Sequence, residues 1–337
     1  MTNDDKKTLR IGLILILILI VVFLAALMIG RYPISFNAYF NILKGNHDGF
    51  QIEIAIIRNL RLPRTIVAML IGAALSVSGL VYQEVFRNKL VSPDFLGVSS
   101  GASVGAAIAI IFGFSVWSIN ITAFSFGLMA MLITLFFANI INKQSPTILV
   151  LSGIVVSSFM GALISIIKYI APSEIILADI TFWLMGSFAY AKKESIFLLL
   201  PIVSLGVSLL FLMRWKINIV GQGMFEAQSQ GLNYKRNQYM IIIIATFLTA
   251  TSVAVAGVVG WIGLVVPHII RFFVGKNTKH TIPLALLFGA IFSIIADVLS
   301  RTFTSSEIPI SAITGLLGTV IFGTTLYINR RKNYEIH

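Results

Sequence analysis

The residues of this sequence that could do chemistry are a few charged side chains beside long apolar stretches. Asp297 and Arg301 are four positions apart near the end of one stretch, which places both on one helix face, where they can pair. Ion-coupled carriers use intramembrane carboxylates for proton relay or ion coordination. One paired Asp is thin support for such a carrier, so the spacing predicts an ion pair.

Other kinds of catalytic or metal site are disfavoured by what the sequence lacks. The chain has no Cys, which removes disulfides, Fe–S clusters and thiolate zinc sites. No GxxxxGK[ST] motif occurs, so ATP binding through a P-loop is not expected. The histidines, which show no paired ligand spacing such as HExxH, are His47, His268, His280 and His337. We therefore expect no catalytic residue, no metal site and no cofactor, and we expect that the chain is not an enzyme.

Composition places the chain among polytopic membrane proteins. Hydrophobic residues make up 57% of its 337 residues and charged residues 11%, whereas soluble domains carry about a quarter charged residues. We expect one transmembrane domain over residues 1–337. The net charge of +12 is explained better by basic cytoplasmic loops than by nucleic-acid binding.

Charge-free runs predict an all-α fold of about ten transmembrane helices. The first run is too long for the apolar region of a signal peptide, which has about 7–15 residues. The predicted spans are 11–30, 65–83, two within 95–142, 145–167, 195–213, two within 237–274 with a break near 257–260, 281–300 and 308–329.

The orientation follows from the basic residues. Ten spans put both termini on one side, and sixteen Lys and Arg then fall on that side against nine on the other. The positive-inside rule thus predicts cytoplasmic termini. On this orientation, 31–62 and 171–193 are outer loops, and the second of them could carry a short interfacial helix.

Two interrupted segments suggest an internal repeat. Small residues end the second span at 78–79 and the seventh at 256–257, and a Gly- and Pro-containing break follows each. Corresponding breaks in two halves point to an inverted repeat and to a transport pathway. Chance similarity between glycine-rich helices is the alternative.

The inner loop 214–237 is longer than a usual connection between bundled helices. Residues 224–230 are mostly good helix formers between Gly223 and Gly231. We expect a short cytoplasmic helix that docks on a partner, with a plain connecting loop as the alternative.

Three arginines lie at the outer ends of spans, where the positive-inside rule does not explain them: Arg61, Arg64 and Arg301. Snorkelling to lipid headgroups is one explanation, and pairing with Asp297 is another for Arg301. We favour docking, because the guanidinium fork suits carboxylates on a partner.

Several blocks resemble one known family through their order and spacing. The blocks are Arg61–Arg64, Gly72–Gly79 with Gln83, Arg87–Leu90, Pro93, Leu96–Ala102, Gly263–Arg271, Ala296-Asp297, Arg301, Glu307–Pro309 and Thr314-Gly315. Together they resemble the FecCD-type permease subunits of type II ABC importers, which carry iron–siderophores, haem and vitamin B12.

The resemblance implies the type II ABC importer permease fold in a bacterial cell membrane. It also implies three partners: a second permease subunit in a homo- or heterodimer, a cytoplasmic ABC ATPase dimer, and an extracytoplasmic binding protein that delivers a metal chelate. Iron(III)-siderophore is the expected substrate, with haem or cobalamin as alternatives. The translocation pathway is expected at the interface of the two permeases.

Site residues follow from the same resemblance. The expected docking residues for the binding protein are Arg61, Arg64, Arg301 and Glu307. The expected coupling residues for the ATPase are Gly223, Met224, Phe225, Glu226, Ala227, Gln228, Ser229, Gln230 and Gly231. The expected cytoplasmic gate comprises Asn88, Leu90, Ser145, Pro146 and Thr147. The chain departs from the family pattern at Lys89, where Pro is usual, and in the coupling segment, which lacks the usual Leu.

A different class competes with this interpretation, namely an ion-coupled secondary transporter of a small solute. The missing ATP site, the docking helix and the scarcity of buried carboxylates favour the ATP-driven importer. Ion-driven uptake without any ATPase would favour the carrier.

Overall fold

A computed structural model describes residues 3–45, 49–141, 145–304 and 306–334. These residues form helices and contain no strand. The α-helices are α1 (Asn3–Met28), α2 (Phe36–Leu43), α3 (Gln51–Ile56), α4 (Leu62–Val85), α5 (Val98–Ile111), α6 (Val116–Ile141), α7 (Pro146–Tyr169), α8 (Glu174–Met185), α9 (Lys193–Leu212), α10 (Arg214–Gln222), α11 (Met224–Ser229), α12 (Tyr234–Ala256), α13 (Ile262–Val274), α14 (Thr278–Thr302) and α15 (Ile310–Tyr334). A π-helical turn, Ile57–Arg61, joins α3 to α4, and a 3₁₀ turn, Pro93–Leu96, precedes α5.

The described helices confirm the predicted all-α membrane fold. Seven are long and apolar enough to cross a membrane, and three shorter apolar helices lie in α5, α13 and α15. The predicted break after the seventh span is confirmed, because α12 ends at Ala256 and α13 begins at Ile262. The two spans predicted within 95–142 are present as α5 and α6, with Gly113 at a positive φ of 67° between them.

The loops expected at one end of the bundle contain helices. Residues 31–62 include α2, α3 and the π-helical turn, which the charge-free-run criterion misses because these helices are short. The short helix considered for 171–193 is present as α8. We call the end with α2 and α8 the α2 end, and the opposite end, which bears α11, the α11 end.

Helix α4 is the centre of the molecule, and nearly all of its residues are buried. It packs against α14, α12, α13 and α9. Small residues allow this packing: a Cβ on Gly72 would lie 2.2 Å from the Gly289 carbonyl oxygen, and one on Gly79 would lie 1.9 Å from that of Gly263. Helix backbones without side chains between them approach closely and gain van der Waals contact.

The polar segment after α4 is held by buried hydrogen bonds. The Gln83 amide donates to the Val91 carbonyl at 3.1 Å and to the Gly263 carbonyl at 3.2 Å. Asp94 accepts hydrogen bonds from the hydroxyls of Ser92 and Ser99. These bonds satisfy polar groups that would otherwise be unpaired in an apolar setting. They connect the segment to both α5 and α13.

Candidate functional site

Five charged side chains meet at the α2 end, and we call them the α2-end cluster: Arg61, Arg64, Asp297, Arg301 and Glu307. Arg64 is at its centre, on the first turn of α4. Its Nε contacts Asp297 Oδ1 at 2.6 Å. Its two terminal nitrogens donate to the two Glu307 carboxylate oxygens at 2.6 and 3.0 Å. This bidentate geometry is among the strongest that a guanidinium can form.

Asp297 is fully buried on α14 and serves two arginines. Besides Arg64, its Oδ2 lies 3.3 Å from the Nε of Arg301, one turn along the same helix. The predicted pairing of Asp297 with Arg301 is therefore confirmed. Each of the two guanidinium groups gives the buried carboxylate an opposite charge, and removing a partner would leave an uncompensated buried charge.

The other two arginines of the cluster hold the end of α1. Arg301 donates to the Ala26 carbonyl at 2.6 Å, and Arg61 donates to the Leu27 and Met28 carbonyls at 2.9 and 2.6 Å. The last carbonyls of a helix have no intrahelical partner and carry partial negative charge, so cations stabilise them. The two guanidinium groups thus act as a C-terminal cap for α1.

Tyr39, which lies on α2 outside the membrane-spanning helices, also contributes to this C-terminal cap of α1. Its hydroxyl donates to the Leu27 carbonyl and lies 3.5 Å from Arg61 Nη1. Burial raises the pKa of the Tyr39 phenol above its ordinary value, while the adjacent Arg61 acts in the opposite direction. The phenol therefore stays neutral and remains a hydrogen-bond donor at physiological pH.

The residues predicted to dock a binding protein are thus brought together. The sequence did not indicate that they would be buried. Arg61, Arg64 and Arg301 are buried, with 4%, 9% and 6% of their surface exposed. Glu307, expected among the docking residues, pairs with Arg64, and 21% of its side chain is exposed. Docking through this cluster stays a prediction.

The short helix predicted for 224–230 is present at the α11 end, and its role in coupling stays a prediction. Helix α11 begins directly after Gly223, whose φ is 122°, and ends shortly before Gly231, whose φ is 74°. Glycine suits both positions, because other residues adopt positive φ at a cost. Phe225 is 83% exposed and Ala227 is fully buried. Phe225 is therefore the large hydrophobic side chain that α11 exposes, which makes Phe225 a better probe of docking than Ala227.

The predicted gate residues lie at the same end, in the segment after α4 and at the start of α7. Asn88 and Leu90 follow α4, and the Asn88 side chain accepts a hydrogen bond from the Leu90 amide at 2.9 Å. Ser145 caps α7 by accepting from the Ile148 amide. The remaining two, Pro146 and Thr147, form the first turn of α7. Their role as a gate stays a prediction.

Two residues at the α11 end carry an ion pair that the sequence analysis missed. Arg271 on α13 contacts Glu84 on α4 at 2.9 Å and also donates to the Gln83 side chain and the Leu80 carbonyl. Arg271 appeared only within a block of the family resemblance. No spacing signal could reveal the pair, because its members are 187 positions apart.

Within the described ranges, no group of three or more His, Cys, Asp or Glu is arranged to hold a metal ion. The His268 ring packs against the Phe322 ring with centroids 5.0 Å apart. This contact accounts for His268 as a packing residue between α13 and α15.

Comparisons with known proteins identify the class. The model of the FecCD transport family matches residues 18–328. The molybdate import system permease protein MolB of Haemophilus influenzae is 34% identical over 334 residues, 98% of each chain. A probable iron chelatin transport system permease protein of Helicobacter pylori is 36% identical over 330 residues, 96% of this chain and 99% of that protein.

The solved structures agree with the sequence comparison. A metal-chelate type ABC transporter in an inward-facing conformation matches with a TM-score of 0.86 and 33% identity, over 94% of this chain and 99% of that one. The chain belongs to the FecCD transport family and is a multi-pass permease of a type II ABC importer. In such systems the ATPase is a separate subunit.

Proposed function

We propose that the chain is the permease subunit of an ATP-driven importer of iron(III)-siderophores, with both termini and α11 in the cytoplasm. The observation that carries the ATP-driven part is α11 itself, a short helix between two positive-φ glycines with Phe225 projecting from the bundle. An exposed aromatic side chain is the kind of residue that anchors a protein interface. We assign it to the ATPase dimer.

The chain is proposed to work as one of two permeases, with the solute passing between them. Support comes from α7 and α15, whose apolar side chains are exposed at positions such as Val155, Phe159, Leu316 and Val320. Lipid covers part of such a surface in a membrane. The cytoplasmic gate at 88–90 and 145–147 then lies at the inner mouth of this shared pathway.

Docking of an extracytoplasmic binding protein is proposed at the α2 end. Among the residues that form ion pairs in the α2-end cluster, Glu307 has the most exposed side chain. An acidic group of the binding protein would compete with the Glu307 carboxylate for Arg64 at this edge of the cluster. Electrostatic attraction of this kind raises association rates and weakens with salt.

The substrate is proposed from the chemistry that relatives handle. The Helicobacter pylori relative is named for an iron chelatin, which supports an iron chelate as the cargo. Haem and cobalamin are the alternatives allowed by the family resemblance. The Haemophilus influenzae relative is named for molybdate import, and this specific likeness makes molybdate a second candidate.

Substrate assays separate these candidates. A strain lacking the chromosomal copy of this permease is assayed for uptake of labelled ferric siderophore, haem, cobalamin and molybdate. We expect loss of ferric siderophore uptake, restored by the wild-type chain. Loss of molybdate uptake alone would contradict the siderophore assignment. Purification of the complex with mass spectrometry of its subunits identifies the permease, ATPase and binding-protein partners.

A further inference from the structure

A polar cavity of about 540 Å³ lies at the α11 end, beside the coupling helix. Its walls come from the end of α4, the segment after it, α10, α13 and the turn before α14. The cavity is much larger than a single small ion needs, and it is large enough for a side chain with part of its loop.

The charges around this cavity are mostly positive. Its described walls include Arg87, Lys89, Arg271 and Lys276, against the single carboxylate of Glu84. Arg271 is paired with Glu84 at 2.9 Å. The other three cations are exposed and form no ion pair with any residue in the described part of the chain. The positive-inside rule accounts for basic residues at this end but not for their arrangement around one cavity.

A helix end adds to the positive potential. Asn277, in the cavity wall, is the N-cap of α14, and its side chain accepts from the Lys279 amide. Asn218 on α10 accepts from the Thr278 amide at 3.0 Å and donates to Asn277 at 3.1 Å. A helix N-terminus carries about half a positive charge. The turn that bears Lys276 is therefore both fixed in position and electropositive.

Arg87 has a backbone conformation that glycine usually adopts. It follows α4 with a φ of 53°, and the Asn88 and Arg87 amides donate to the Gln83 and Glu84 carbonyls. This is the Schellman arrangement, in which the residue at the Arg87 position is most often Gly. A non-glycine residue with positive φ costs about 1–2 kcal/mol. Such a residue points to a use for its side chain.

Arg87 also connects the cavity to the coupling helix. A Cβ on Gly223, the residue before α11, would lie 3.1 Å from Arg87 Nη1. A group bound in the cavity would therefore contact both the gate segment, which begins at Asn88, and the start of α11.

We propose that this cavity receives an acidic side chain of the ATPase subunit, with Arg87, Lys89 and Lys276 as its cationic partners. The inference rests on the proposed function, in which the ATPase docks at α11. It adds a second contact, by which ATPase movement acts on the segment after α4 as well as on α11. Lys89 stands where the family usually has Pro, so this contact distinguishes the chain from that pattern.

The direct test is cross-linking of the co-expressed permease–ATPase complex with a water-soluble carbodiimide, which joins a lysine amine to a carboxylate in contact with it. We expect mass spectrometry to find amide cross-links from Lys89 or Lys276 to an Asp or Glu of the ATPase. Lys44 and Lys193, exposed at the α2 end, are the matched controls and should give none. Absence of any cross-link from the cavity lysines in an intact complex would overturn the proposal.

A binding measurement gives the second arm. The variant Arg87→Gly, Lys89→Gln, Lys276→Gln removes three charges while glycine suits the backbone at 87. We expect ATPase affinity to fall about tenfold, the loss for three partly exposed ion pairs, and its salt dependence to weaken. Unchanged affinity and salt dependence would refute the cavity contact.

The outcomes separate this inference from the proposed function. If the ATPase binds wild type and the triple variant equally well, the cavity proposal fails and the importer stands. If the ATPase does not bind wild-type chain at all, the proposed function fails. If inorganic phosphate at matched ionic strength protects Lys89 and Lys276 from acetylation in the complex, the cavity holds a free oxyanion and the proposal is wrong.

Discussion

The two ends of the bundle use basic residues in opposite ways. At the α2 end, Arg61, Arg64 and Arg301 are buried and contact carboxylates or the carbonyls at the end of α1. At the α11 end, Arg87 and Lys89 are exposed beside a cavity. The arginines at the α2 end therefore stabilise the fold, besides the docking proposed there, whereas the exposed cations at the α11 end are available for a partner.

This difference sets the size of the expected mutational effects. Removing one partner of a buried ion pair leaves an uncompensated charge, whereas exposed charges contribute little to stability. Variants at the α2 end should act on the free energy of unfolding. Variants of the exposed cations at the α11 end should act on partner binding and leave stability nearly unchanged.

The largest effect is expected for Asp297→Asn. Arg64 and Arg301 would lose their shared carboxylate, so the variant should be destabilised by about 3–5 kcal/mol, measured by denaturant unfolding in detergent micelles. Asp179→Asn, at an exposed position of α8, is the control and should match wild type. A change below about 1 kcal/mol for Asp297→Asn, within the range of exposed pairs, would mean that the cluster does not hold this end together.

A second stability effect is expected in the centre of the bundle. Gly79→Ala places a methyl group 1.9 Å from the Gly263 carbonyl oxygen, so α4 and α13 must move apart. The free energy of unfolding should fall by about 1–3 kcal/mol. Gly161→Ala on α7 is the matched control, because a Cβ there meets nothing within 4 Å. The control should be neutral or slightly more stable. Equal stability of the two variants would contradict the close packing.

At the α11 end, Phe225→Ala should separate binding from stability. The ring is 83% exposed, so its loss should leave unfolding unchanged while ATPase association weakens about tenfold, or about 1.4 kcal/mol. The measurement is the affinity of the ATPase for the permease, which is held in nanodiscs and immobilised on a surface. Ala227→Arg is the contrasting variant: its effect should include loss of α11 structure, because Ala227 is buried. Wild-type affinity of Phe225→Ala would contradict docking at α11.

The smallest effect is expected for Arg87→Gly alone. Glycine relieves the positive-φ strain and removes no ion pair in the described part of the chain. Stability should stay within about 0.5 kcal/mol of wild type, as for other surface substitutions, or increase slightly. A fall of more than about 2 kcal/mol in the free energy of unfolding, measured by thermal unfolding, would mean that Arg87 stabilises the fold as the arginines of the α2 end do.

Sequence patterns predicted the helical fold well, because long apolar runs and glycine breaks are local signals. The break before Ile262 and the helix at Met224 are examples, and the Asp297–Arg301 pair was predictable from its four-residue spacing. Long-range partners were not predictable. Nothing local indicates that Arg64 meets Glu307, 243 positions away, or that Arg61 caps α1.

The central claim, that this chain is the permease of an ATP-driven importer, is tested most directly in proteoliposomes. The chain is reconstituted with its ATPase, and loaded binding protein is added outside, with ATP enclosed. We expect uptake of ferric siderophore that requires both ATP and the binding protein. Collapse of the proton and sodium gradients should leave this uptake unchanged. Uptake by the chain alone, driven by an ion gradient without ATP, would contradict it.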